Sequence, residues 1–218
     1  MTNVIKSVRL DYYTLKSNYA RFIIIYALAV LLAVFTQPVI AIVIIMAFSV
    51  FLSGLVFSIY EKNNLSRLYG ILPLRRTDVV IGRFIFALCF CLINMLVSGC
   101  MAYIISSYSG KGMEQSTFIT YLSASFLYYC LAIGISFPIY FKIGFSKAYI
   151  FTMLPMYIII MGSVLISKKA DLSGLKQTFQ YYISHQHMIW ITGCGAGLIL
   201  LAVSCFVSCL ITKRAELT

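Results

Sequence analysis

Six times along its 218 residues the chain runs for about the thickness of a bilayer with no Asp, Glu, Lys, Arg or His between its interfacial ends. The runs are Ala20–Thr36, Val39–Tyr60, Phe84–Ser106, Phe118–Phe141, Ala148–Ile166 and Met188–Ile211. A helix that crosses the hydrocarbon core needs about 20 mostly apolar residues. The expected fold is therefore all-α: a polytopic membrane protein with six transmembrane helices, residues 1–218 forming a single transmembrane domain. Composition closes off the alternatives. The chain is 61% hydrophobic and 11% charged, with mean hydropathy +0.96, whereas soluble domains are about 45–50% apolar and ~25% charged. A soluble enzyme, a disordered regulator and a disulfide-rich secreted domain are excluded.

Charge sets the expected orientation. Lys and Arg number 17 against 6 acidic residues. In a soluble protein that excess would suggest nucleic acid; here it flanks apolar runs and fits anionic headgroups, with no nucleic-acid partner. With the N-terminus inside, the inner segments hold Lys6, Arg9, Lys16, Arg21, Lys62, Arg67, Arg75, Arg76, Arg83, Lys142, Lys147, Lys213 and Arg214. The outer segments hold Lys111, Lys168, Lys169 and Lys176. Positive charge is retained on the cytoplasmic side, so both termini are expected in the cytoplasm. No apolar core precedes Phe22, so residues before it do not read as a cleavable signal. Val4, Ile5, Val8, Tyr12 and Leu15 recur at helical spacing among Lys6, Arg9, Thr14 and Lys16, which predicts an amphipathic helix over residues 1–18 in the inner interface.

Within the spans, Asn94 is the most polar group at depth. Ion-coupled carriers and voltage sensors work through intramembrane ionisable groups, and none is present between the span ends. No His-Glu-x-x-His motif and no phosphate-binding glycine loop occurs, so neither a bound metal nor ATP hydrolysis by this chain is expected. His185 and His187 sit at the outer edge of the last span, two residues apart and so on different helix faces. The seven cysteines lie in apolar runs and read as small packing residues. Pro138 and Pro155 each remove a backbone donor inside a span. Gly193 and Gly197 form a G-x-x-x-G that allows close helix approach, within the chain or between copies.

The most informative segment joins the second and third spans, residues 61–78. Asn63 or Asn64 can cap a short helix whose apolar face is Leu65, Leu68, Tyr69 and Leu72, with Ile71 between. Gly70 and Pro73 limit it to about two turns. Thr77 or Asp78 is placed to cap the next helix, Asp78 beside its positive end. Arg75 and Arg76 fall at headgroup level. A short helix with Leu65, Leu68 and Tyr69 on one side needs a protein to cover it. Its bland reading is a well-capped, positively charged hairpin.

Here the chain resembles a known family. Glu61 closing the second span, a short amphipathic piece, then Leu72-Pro73, Arg75 or Arg76, Asp78 and Val79 or Val80 resemble the loop between the second and third membrane helices of ABC-2 class permeases. Gly82-Arg83 stands where that family usually has a small or polar residue followed by Lys. Small six-span members of the class resemble this chain, including permeases of phenol-soluble modulin exporters and lantibiotic self-protection pumps. The resemblance implies a non-catalytic permease in a bacterial plasma membrane, paired with a second copy or a paralogue and seated on ABC ATP-binding subunits. ATP and Mg would be bound by those partners, with no cofactor on this chain. Residues Asn64–Ile71, including Arg67, would be the coupling helix. Glu61 and the N-terminal helix would hold the junction, with a smaller contact from Lys142 to Lys147. Phe48, Phe51, Phe57, Asn94, Tyr121, Phe126 and Tyr129 are candidates to line a substrate pathway suited to an amphipathic peptide. Two rivals are a receptor or assembly factor without transport, and a lipid enzyme, for which Asp78, Glu61 and the histidines lie on opposite sides of the bilayer.

Overall fold

The computed structural model describes residues 2–16, 19–63, 75–109, 114–152 and 186–214, and among these every regular element is helical. In chain order they are α1 (Thr2–Lys16), α2 (Tyr19–Phe35), α3 (Val39–Lys62), α4 (Arg76–Ser109), α5 (Gln115–Ile143), α6 (Phe145–Ala148) and α7 (Gln186–Arg214), with a 3₁₀ turn at Tyr149–Thr152.

Among the described residues, four stretches are long and apolar enough to cross a membrane: Val39–Lys62, Thr77–Ser109, Gln115–Ile143 and Trp190–Lys213. Ile23–Phe35 is a shorter apolar helix. These coincide with five of the six expected spans. The remaining one, Ala148–Ile166, fifth in chain order, begins at the end of α6 and passes through the 3₁₀ turn; the rest of it lies outside the described residues. The α2–α3 turn consumes little chain. Thr36 N–H donates to Leu32 O, Ile40 N–H to Gln37 O and Ala41 N–H to Pro38 O, and Pro38 leads directly into α3.

Helix α3 is the central element. Ile42, Ile45, Met46 and Val50 are fully buried, and α3 packs on α2, α4 and α5. The most extensive helix pair is α5 with α7. The G-x-x-x-G belongs to this pair, within one chain. A Cβ on Gly193 would collide with Ser123 Oγ, and one on Gly197 would lie 3.0 Å from Phe126 Cε1 and 3.1 Å from Cys130 Sγ. Without hydrophobic drive between helices in lipid, such close approach is what packing depends on.

Pro138 lies inside α5 without breaking it. Proline has no N–H, so the carbonyl four residues back loses its helical donor. That carbonyl is Gly134 O, and Ser204 of α7 donates to it at 2.7 Å. A hydroxyl from a neighbouring helix thus restores the lost bond, as membrane interiors require.

Two expectations change. Helix α4 starts at Arg76, about two turns before the Phe84 start of the expected span, and has 34 residues. At 1.5 Å per residue it is about 50 Å long, well beyond a ~30 Å hydrocarbon core. Arg83 is therefore inside this helix, as a helix capped at Thr77 or Asp78 implies, and lies just before the expected span. Second, the packed face of α1 differs from the apolar set in the sequence. Ser7, Asp11 and Leu15, successive turns of one face, are buried, whereas Ile5 and Tyr12 are exposed. Leu15 packs with Val56 of α3 and Phe86 of α4, with Val8 alongside. The charge of Arg83 acts on Asp11 from α4, and position on the helix, not polarity, decides which residues turn inward.

Candidate functional site

At the end of the bundle that holds α1, four helices converge on Arg83. This α4 residue is 4% exposed. It lies over three aromatic rings: Phe57 at 4.2 Å and Tyr60 at 4.5 Å from α3, and Phe141 at 5.6 Å from α5. A cation over a ring face is attracted by the ring quadrupole, more strongly when desolvated. Phe57 also meets Phe137, Tyr140 and Phe141 edge-on or tilted, at 4.9–5.1 Å. Asp11 of α1 is 2% exposed. Burial pushes its carboxyl up to about 6, while the nearby Arg83 charge pulls it down.

A second tie lies at Glu61, in the last turn of α3. Its Oε2 accepts the Ser146 N–H at 2.9 Å. This joins the end of α3 to the elbow between α5 and α6. Gly144 makes that elbow, with φ +87°, a conformation that other residues rarely adopt. A Cβ there would also stand 3.4 Å from Glu61 Oε1. Lys142 and Lys147 flank the elbow and are exposed. Beneath it, Gly54 of α3 admits Phe145 and Tyr140, which a Cβ would meet at 3.4 and 3.7 Å.

Asn63 closes α3: its N–H donates to Ile59 O at 3.0 Å. Asn64, Leu65, Arg67, Leu68, Tyr69, Ile71 and Pro73 lie outside the described residues. On the far side of that segment, Arg75 O accepts from Asp78 N–H at 2.9 Å and from Val79 N–H at 3.3 Å. The helix thus starts at Arg76, and Thr77 and Asp78 lie in its first turn and not at the cap. Asp78 keeps its favourable place beside the positive helix end.

The pathway candidates divide. Phe57, Asn94, Phe126 and Tyr129 are buried within the chain, Phe51 is partly buried, and Phe48 and Tyr121 are exposed. Tyr129 donates to Ala87 O at 2.9 Å, tying α5 to α4. Tyr26 of α2 donates to Asn94 Oδ1, and Asn94 Nδ2 donates to Phe90 O at 2.7 Å. Beside this pair an open apolar cleft of about 670 Å³ runs between α2 and α4, lined by Ile23, Val30, Val34, Val97 and Met101 among others. Among the described residues, no three His, Cys, Asp or Glu side chains gather as a metal site.

Asp11 carries no role in the sequence pattern, and Arg83 reads there only as one of the inner-side charges. The signal that could have found them is spacing: Ser7, Asp11 and Leu15 share a face with Val4 and Val8, and Gly82-Arg83 follows a cap-like Asp78 by one turn.

Residues 8–213 match the family described as ABC-2 family transporter protein. No curated protein and no solved structure matches the chain.

Proposed function

The chain belongs to the ABC-2 family of transporter proteins, and on that premise we propose that it is the permease subunit of an ATP-driven exporter that moves amphipathic or antimicrobial peptides out of a bacterial cell. It is a multi-pass membrane protein of a transport family. In the proposed assembly two permease copies, or one copy and a paralogue, sit on ABC ATP-binding subunits that bind ATP and Mg. Both termini face the cytoplasm, and the Asn64–Ile71 segment is the coupling helix.

The observation that carries the coupling part is the Glu61–Ser146 bond. The proposed coupling segment begins three residues after Glu61 in the sequence, and the end of α3 that it would push is tied through Glu61 to the elbow of α5 and α6. Arg83, meshed with α3 and α5 aromatics, gives the same end of the bundle a second rigid connection. An amphipathic cargo is supported by the apolar cleft beside Tyr26 and Asn94 and by exposed Phe48 and Tyr121. Fixed charge is absent from the expected spans between their ends.

Two measurements test this reading. Reconstituted in liposomes with its ATP-binding subunit, the permease should show ATP hydrolysis stimulated by amphipathic peptides. Stimulation by small hydrophilic solutes but not by amphiphiles rejects the cargo. In whole cells, an impermeant thiol reagent should reach cysteines placed at Lys111 and Lys176 and should miss those at Arg67 and Lys213. Outside labelling of Arg67→Cys overturns the orientation.

A further inference from the structure

Helix α1 lies on α4 with Ser7 against Gly82 and with Asp11 under the influence of the Arg83 charge. Among the described residues, Ser7 Oγ, Asp11 Oδ2, Arg83 Nε and Arg83 Nη2 have no hydrogen-bond partner. Buried polar groups are normally paired, and leaving them unpaired costs free energy. The contact is nevertheless tight. A Cβ on Gly82 would lie 2.8 Å from both Cβ and Oγ of Ser7 and 3.3 Å from Val4 O. Helix α1 is thus seated directly on the backbone of α4, with an ionisable side chain in the seat. A carboxylate there has an oxygen with no donor, and its opposite charge is turned toward three aromatic rings. A protonated carboxyl carries less charge into the seat and brings a donor of its own.

We propose that the Ser7–Asp11 face of α1, seated on Gly82 and Arg83 of α4, is a proton-binding site that sets how tightly α1 clasps the helical bundle. The charged group that faces Asp11 from α4 is Arg83. From α3 the Tyr60 phenol ring reaches the site through Arg83, and from α5 the Phe141 ring does so. On α1 itself Lys6, Arg9 and Lys16 are exposed. The sign follows from the direction of the shift. Asp11 takes up a proton more readily when α1 is seated, at about 6, than at the ordinary value of 3.8. The clasp is tightest below the ordinary value, weakens as pH rises through about 6, and is constant above it. A cytoplasm near neutrality holds the clasp in its weak form, and acidification tightens it.

The test is hydrogen–deuterium exchange of the α1 amides in the full chain in nanodiscs, from pH 5 to pH 8, corrected for the intrinsic rate at each pH. In the wild type the opening equilibrium of α1 should rise about tenfold between pH 5 and pH 7 and level off beyond. Asp11→Asn should remove that rise. Arg83→Met, which takes away the charge that holds the Asp11 carboxyl down, should move the midpoint to higher pH, whereas Arg83→Lys should keep it. A flat wild-type profile, a slope that persists in Asp11→Asn, or a midpoint indifferent to the charge at residue 83 overturns the proposal. The readout needs no partner subunit and no cargo, so it stands or falls apart from the transport reading.

Discussion

Replacing Gly197 by leucine should loosen the pairing of α7 with α5 and lower the stability of the whole bundle. The site has no spare volume. A single added carbon would already press on Phe126 Cε1 at 3.0 Å and on Cys130 at 3.1–3.3 Å. Both belong to the core cluster that includes Tyr129, Ile133 and Phe137, so neither can swing away into lipid. Overpacking a filled site costs about 1–3 kcal/mol. In lipid the penalty falls on the contact that holds the pair together, because the alternative contact with acyl chains is equally apolar. Gly195 is the internal control: a Cβ there meets nothing within 4 Å. Thermal unfolding in mild detergent, followed by size-exclusion chromatography, should show Gly197→Leu melting several degrees below wild type, at roughly 2–4 °C per kcal/mol, and Gly195→Leu unchanged. Equal effects at the two positions would falsify the intramolecular seam and return the motif to a contact between copies.

The two glycines show how far sequence reaches in such a chain. Their spacing announces a close helix contact, but nothing in it names α5 as the partner, because Ser123 and Cys130 lie far off in sequence on a helix of unremarkable composition. Pro138 is similar. The missing donor is legible at once; that Ser204 would repair it depends on how α7 lies across α5. The helices themselves were legible from hydropathy, because lipid permits few ways to satisfy a backbone. The end around Arg83 was not. Charge ordinarily marks surface, and Arg83 is instead held by Phe57, Tyr60 and Phe141, from two other helices. In the sequence those rings are simply more aromatics among many, and Phe57 read equally well as a pathway residue. The link between Glu61 and Ser146 spans 85 positions. It forms only because the Gly144 elbow brings the α6 amide back to the end of α3.

Changing Leu68 and Tyr69 together to aspartate should separate the permease from its ATP-binding subunit and abolish transport, while leaving insertion intact. The expectation rests on the proposed coupling role of Asn64–Ile71, a segment outside the described residues whose sequence places Leu65, Leu68 and Tyr69 on one helical side. Covering a large apolar side chain is worth roughly 1.5–3 kcal/mol, and a few such anchors dominate a typical interface. Two aspartates remove both anchors and add unpaired charge to the contact. Arg67 and Arg75 cannot offset that, since exposed ion pairs contribute about 0–1 kcal/mol each. No expected span residue changes, and the described ties on either side remain: Glu61 still meets the α6 amide, and Arg75 O still receives the first bonds of α4. The double variant should therefore reach the membrane and melt like wild type, yet lose the ATP-binding subunit on affinity purification and show no cargo-stimulated hydrolysis in liposomes. If it instead co-purifies with a fully coupled ATP-binding subunit, the apolar side of this segment is not the docking surface. The force-bearing contact would then have to be sought at the Lys142–Lys147 elbow, whose lysines are exposed and which Glu61 joins to α3.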